Sequence, residues 1–285
     1  DKMKNLWVRS VSGAVLVVVV LGAILWSKWS FAALLMAILI GGESEFYRMA
    51  QKAGYAPQKV LGFVAGAIIL MVAFILMWLL DDSTTVSSQY LIIAVGLALY
   101  IMMLIPVMFI CELYRKSPTP IANIGSTLMG IVYVAMPLAL LFFIPLLLGR
   151  GVWNPWALIF YIFIIWANDV CAYLVGMSIG KHRLFQRISP KKSWEGFIGG
   201  LVGAMVMGYV ASTFMEGTHA IWIGMALIAA ITGVFGDLVE SLLKRSVDVK
   251  DSGNILPGHG GWLDRFDALL LSIPFVFIYL VFCID

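Results

Sequence analysis

The chain has 285 residues, 62% of them hydrophobic and only 12% charged, with a formal net charge of +3. Soluble domains are about half apolar and a quarter charged, so a soluble globular fold is excluded, as a mean hydropathy of +0.98 also indicates. What remains is an all-α integral membrane protein, because apolar stretches near the twenty residues that cross a bilayer recur along the chain.

In chain order the apolar runs predict about nine transmembrane helices, over 8–26, 29–49, 60–80, 89–111, 127–148, 156–178, 196–214, 221–239 and 266–284. Met3 reads as the natural start, behind an Asp1-Lys2 remnant. The first run resembles a signal peptide, but a second apolar run follows from Trp29 in place of a polar mature domain, so it reads as a retained span. The fifth run follows Pro118 and Pro120 and contains Pro137 and Pro145, where a kink is expected.

Nine spans put the N-terminus and the loops after the even-numbered spans on one side. Of the 19 Lys and Arg residues, only Lys28 and Arg150 fall on the other. The positive-inside rule makes the rich side cytoplasmic. The three cysteines, Cys111, Cys171 and Cys283, form no metal-binding or CxxC spacing and read as small buried residues. The loop Asp81–Thr85 and the turn Gly217–His219 read as plain connectors. The two longest polar segments, 179–195 and 240–265, are both cytoplasmic. The chain therefore divides into N-terminal helices, 1–150, and a C-terminal region, 151–285, that carries the chemistry.

Ionisable groups inside spans are expensive and point to function. Asn168-Asp169 sits midway along span 6, where Asp169, Tyr173, Gly176 and Gly180 share one face and the glycines permit close helix approach. The structural alternative is a buried Asp bonded to a neighbouring helix. At the end of span 8, Asp237, Glu240, Ser241 and Lys244 share a face. Acid–base pairs at i, i+4 often only stabilise a helix, but Asp237 lies at membrane depth. The glycine-rich run around Gly258-His259-Gly260-Gly261 suits a loop whose N–H groups cradle phosphate, or a flexible turn. Asp264-Arg265-Phe266-Asp267 opens span 9, and its acids either complement the helix dipole or bind a hard cation. Lys181, Arg183, Arg187, Lys191 and Lys192 form a basic segment that is an anion site or a set of membrane anchors.

Taken together, these stretches resemble the phosphatidate cytidylyltransferase family. The run Ser241–Asp267, SLLKRSVDVKDSGNILPGHGGWLDRFD, is similar to the family signature S-x-x-K-R, then K-D-x-G, then P-x-H-G-G-x-x-D-R-x-D. Asn168-Asp169, Gly180-Lys181-His182, Ser189-Pro190-Lys191-Lys192-Ser193 and Glu195-Gly196 look like its upstream elements. The resemblance covers about 160–285; earlier residues match mainly as hydrophobic spans.

The resemblance implies helices around a polar cytoplasm-facing cleft formed by the C-terminal helices, in a homodimer; the lack of long extensions points to a bacterial inner membrane. It implies CTP and phosphatidic acid as substrates, membrane lipids and no nucleic acid as partners, and Mg2+, with room for a second metal ion, as cofactor. Asp237 and Asp264 are the expected metal ligands, with Glu240 and Asp267 behind them and Asp169 and Asp251 further candidates. Lys244, Arg245, Lys250, Arg265, Lys191 and Lys192 are expected to bind phosphates. Asn168, Ser189, Ser241 and Gly258 to Gly261, including His259, are expected to line the substrate site. Three other readings stay open: a CTP-dependent lipid kinase that transfers the γ-phosphate, a transporter with Asp169 and Asp237 on an ion path, and an inactive relative of the family.

Overall fold

A computed structural model describes residues 2–81, 87–215, 217–253 and 260–283, with side-chain surroundings described from residue 11 onward and not for residue 87. The elements are α1 (Lys2–Trp26), α2 (Lys28–Lys52), α3 (Lys59–Leu80), α4 (Ser87–Arg115), α5 (Pro120–Gly130), a π-helical turn (Ile131–Ala135), α6 (Met136–Leu141), α7 (Ile144–Leu148), α8 (Pro155–Ile179), a hairpin of β1 (Arg183–Phe185) and β2 (Ser189–Ser193), α9 (Trp194–Phe214), α10 (His219–Ser246) and α11 (Leu263–Cys283).

The all-α membrane class holds. Among the described residues, eight helical segments are long and apolar enough to cross a membrane, while the apolar part of α1, Val11–Trp26, is shorter. The nine expected spans correspond to these eight segments plus α1, whose side-chain surroundings are described only from residue 11. Large apolar side chains such as Ile68, Met71, Ile75, Ile92, Val95, Met103 and Ile110 are exposed along α3 and α4. A soluble protein would not expose this much apolar surface; lipid tails can cover it. The same physics corrects the reading of the cysteines. Cys111 and Cys171 are only half-buried and Cys283 is exposed, since an apolar thiol within a bilayer has no need of protein around it.

The chain divides into two compact units: Asp1–Trp78 with Val86–Ala139 and Ser246–Phe266, and Leu79–Thr85 with Leu140–Arg245 and Asp267–Asp285. In the first, α1 and α2 form a hairpin whose turn is a capping box. The Ser27 side chain accepts from the Ser30 N–H and the Ser30 hydroxyl accepts from the Ser27 N–H, both at 3.0 Å. Tyr47 of α2 is fully buried and donates to the Thr127 carbonyl at 3.1 Å. A methyl group at Gly62 or Gly130 would overlap the Tyr47 ring, so these glycines let α3 and α5 close on α2. Buried Glu112 of α4 accepts from Gln58 and Asn123, both at 2.7 Å, and from Arg115 at 2.9 Å.

The expected kink in the fifth span takes a specific form. The Met136 N–H bonds back to the Ile131 carbonyl, five residues earlier. Pro137 can offer no N–H to Tyr133 and its ring would crowd that carbonyl, so the helix widens into a π turn just ahead of it. Pro145 repeats the effect: α6 ends at Leu141, the residue whose carbonyl Pro145 cannot reach with a donor.

In the second unit α8 begins at an Asn154 cap followed by Pro155, and α8 and α9 pack tightly along their length. Side chains at Gly199, Gly200 and Gly203 would run into Val175, Asn168 and Cys171. This is small-residue packing of the kind that holds membrane helices together where lipid supplies no hydrophobic drive. Tyr161 of α8 and Ser272 of α11 share a buried hydrogen bond of 2.5 Å. Two connecting segments carry structure that the sequence reading did not anticipate. The polar segment between α8 and α9 contains an antiparallel hairpin, Arg183 opposite Ser193 and Phe185 opposite Ser189, closed by the Trp194 N–H on the His182 carbonyl at 2.9 Å. Asp81, read as part of a connector, accepts from the Trp153 N–H at 2.8 Å.

Candidate active site

Two polar clusters gather the candidate residues, one in each unit. In the second unit, carboxylate oxygens of Asp237, Glu240 and Asp267 lie within 4.8 Å of one another. Asp237 and Glu240 share a face of α10 through the helical repeat. Gly236 brings in Asp267: a Cβ there would stand 2.5 Å from the Asp267 carbonyl oxygen, so the missing side chain lets α10 meet α11 at this level. Asp267 in turn accepts from the Ala268 N–H at 2.7 Å.

Two lysines balance these acids. Lys192 of β2 pairs with Asp237 at 2.5 Å, and Lys244, one turn along α10, pairs with Glu240 at 2.8 Å. The Ser241 hydroxyl is 3.3 Å from Asp237 as donor. Asp169 of α8 feels both Asp237 and Lys192 electrostatically. Asn168, one residue earlier, is buried and its amide donates to the Ala230 carbonyl of α10 at 3.5 Å.

The hairpin that aims Lys192 is itself fixed to α9. Ser193 caps α9 by accepting from the Gly196 N–H at 3.1 Å. Glu195 accepts from the backbone of Lys181 and His182 at 3.1 and 3.2 Å, and its carboxylate lies 2.6 Å from the His182 ring. Neighbouring residues of a strand face opposite ways, so Lys191 is exposed while Lys192 turns inward.

Three hard oxygen donors converging at this spacing suit a divalent cation. Magnesium in particular is commonly held by a few carboxylates completed by substrate phosphate oxygens. The donor set therefore fits the metal that the sequence resemblance implies, with Asp237, Glu240 and Asp267 as the residues to hold it.

Asp264 belongs to the first unit and is engaged differently. One of its oxygens accepts from the Ser252 N–H at 2.9 Å, the Ser252 hydroxyl at 2.9 Å and the Gly261 N–H at 2.7 Å. Gly260 adopts the left-handed conformation, φ +77°, that a tight turn requires and that glycine adopts without strain. The Gly261 N–H, expected to face phosphate, is thus spent on Asp264. Glu45 of α2 completes this cluster, accepting from the N–H groups of Trp262 and Leu263 at 2.9 and 3.0 Å and lying 2.8 Å from the Ser252 hydroxyl.

Of the other expected site residues, Arg245, Lys250, Asp251 and Arg265 are exposed and Ser189 is half-buried at the start of β2. Gly258 and His259 lie outside the described residues. Sequence reasoning missed Glu45 and Ser252. The one available signal for Glu45 was Glu43 and Glu45 themselves, two acids inside an otherwise apolar run.

Comparison with known proteins gives the same direction. The model of the cytidylyltransferase family matches residues 7–283. A phosphatidate cytidylyltransferase of Staphylococcus aureus (strain COL) is 48% identical over 120 residues, 41% of this chain and 46% of the relative. One of Bacillus subtilis (strain 168) is 50% identical over 120 residues, 41% of this chain and 44% of the relative. The matched stretch thus spans just under half the length of these curated relatives.

Proposed function

Since the chain belongs to the cytidylyltransferase family, we propose that it is a phosphatidate cytidylyltransferase, converting CTP and phosphatidic acid to CDP-diacylglycerol and pyrophosphate. The observation that carries the reading is the three-carboxylate cluster of Asp237, Glu240 and Asp267, flanked by Lys192 and Lys244, on helices that are built to cross a membrane. Such a place can meet a lipid phosphate and a soluble nucleotide together.

In the proposed reaction an oxygen of the lipid phosphate attacks the α-phosphorus of CTP. The new P–O bond forms as the bond to the β-phosphate oxygen breaks, and pyrophosphate leaves with the electron pair. The nucleophile is already an anion near neutral pH, so the protein needs no strong base. Its work is positioning and charge neutralisation. Lys192 and Lys244 are placed to exchange their carboxylate partners for phosphate oxygens, as point charges suited to that task. Ser241 holds Asp237 in place, and Arg245 adds positive charge for the triphosphate. Bound Mg2+ would supply Lewis-acid stabilisation of the developing pyrophosphate charge. Asp264 is held within the first unit by the N–H groups of Ser252 and Gly261.

The lopsided Lys and Arg distribution supports a cytoplasmic N-terminus and active site, and the bacterial relatives support a bacterial inner membrane. The homodimer stands on the sequence resemblance alone.

The test is to add phosphatidic acid, Mg2+ and labelled CTP to the purified protein and follow label into the lipid phase. α-Label entering the lipid supports cytidylyl transfer. Label entering from the γ-position instead identifies a lipid kinase.

A further inference from the structure

We infer that Glu45 is a positioning residue for the transfer reaction: from α2 it clamps the start of α11, the helix that carries Asp264 and, one turn on, Asp267. The inference rests on the functional reading above and concerns a helix that the sequence signature does not reach.

The geometry is that of a clamp with three jaws. One Glu45 oxygen accepts from the Trp262 N–H and the other from the Leu263 N–H. These are first-turn donors of α11, which have no partner within the helix and sit at the positive end of its dipole. The second oxygen also lies 2.8 Å from the Ser252 hydroxyl. That hydroxyl is 2.9 Å from Asp264 as well, yet it has a single proton to give. Ser252 therefore joins the two carboxylates, donating to one at a time, while its N–H and that of Gly261 stay on Asp264.

The packing leaves no slack. Glu45 is 3% exposed. A side chain at Gly253 or Gly261 would collide with the Glu45 carboxylate, and one at Gly41 with the Trp262 indole. The indole stacks in turn on Phe266, centroids 6.2 Å apart. A carboxylate fits the position because each partner is a donor. Glutamine would turn an NH2 group on at least one of them and leave that donor unpaired.

The experiment compares wild type with Glu45→Gln and Ser252→Ala in the full-length protein, in detergent. Hydrogen exchange at the Trp262 and Leu263 amides reads the clamp without reference to activity. Steady-state kinetics with CTP and phosphatidic acid reads its consequence. Glu45→Gln is expected to speed exchange at these amides at least tenfold and to lower kcat about ten- to a hundredfold, the scale of a sub-ångström misplacement. KM for CTP and the melting temperature should stay close to wild type. Ser252→Ala should move both readouts in the same direction by less, and it carries the test if the glutamine variant does not fold. Unchanged exchange overturns the clamp. Faster exchange with unchanged kcat overturns its role in positioning, as does a loss of kcat that only follows a loss of melting temperature. A wild-type protein without transfer activity would overturn the functional reading, with the exchange result still deciding the clamp.

Discussion

The Lys192 ammonium lies 2.5 Å from the Asp237 carboxylate, joining the β1–β2 hairpin to α10. Both groups are partly open to solvent, so the pair contributes little to stability. In the proposed reaction the pair sets a cation-binding carboxylate and a phosphate-binding ammonium side by side before substrate arrives. Lys192→Ala should therefore lower kcat/KM by about 10²-fold or more, at ~3 kcal/mol for a lost transition-state charge contact, with little change in melting temperature. Michaelis kinetics beside a thermal melt would check it.

Asp237→Ala and Asp267→Ala remove donors from the carboxylate cluster. Each should reduce turnover by roughly 10²–10³-fold and raise the Mg2+ concentration needed for half-maximal rate. Isothermal titration with Mg2+ in the absence of nucleotide gives the second readout.

Glu240 is 1% exposed and Lys244 pairs with it at 2.8 Å. Lys244→Ala should destabilise the second unit by about 3 kcal/mol, because one partner removed from a buried pair leaves an uncompensated charge. The loss of activity should accordingly exceed that of Arg245→Ala, whose side chain is exposed.

At Gly200 a Cβ would lie 2.5 Å from the Asn168 amide oxygen and 2.9 Å from its carbonyl. Gly200→Val should force α8 and α9 apart and cost at least ~1–3 kcal/mol through overpacking. A lowered melting temperature with loss of activity is the expected outcome, whereas Ile198→Val, at an exposed site on the same helix, should change neither.

Much of this was legible in the sequence because its signals are local. Hydrophobic length places the spans, and the i, i+4 repeat puts Asp237, Glu240, Ser241 and Lys244 on one face before any fold is known. Pro137 forecasts a kink, though not that the helix would absorb it as a π turn. The rest depends on partners distant in sequence. Glu45 meets Ser252 and Leu263 across more than two hundred residues, and no spacing rule reaches that far. Asp264 and Asp267 look equivalent three residues apart, yet Ser252 and Gly261 engage the first while Gly236 brings the second to α10. The hairpin escaped notice because its strands are short and mostly polar, without the alternation that marks a half-buried strand.

The most direct test of the account is transfer of α-label from CTP to phosphatidic acid as Mg2+ is titrated, in wild type and in Asp237→Ala, with folding checked by thermal melt. The account predicts Mg2+-dependent labelling by wild type that EDTA abolishes and that falls at least a hundredfold in the folded variant. Labelling that survives EDTA, or a folded Asp237→Ala that keeps more than about a tenth of wild-type turnover, would contradict it.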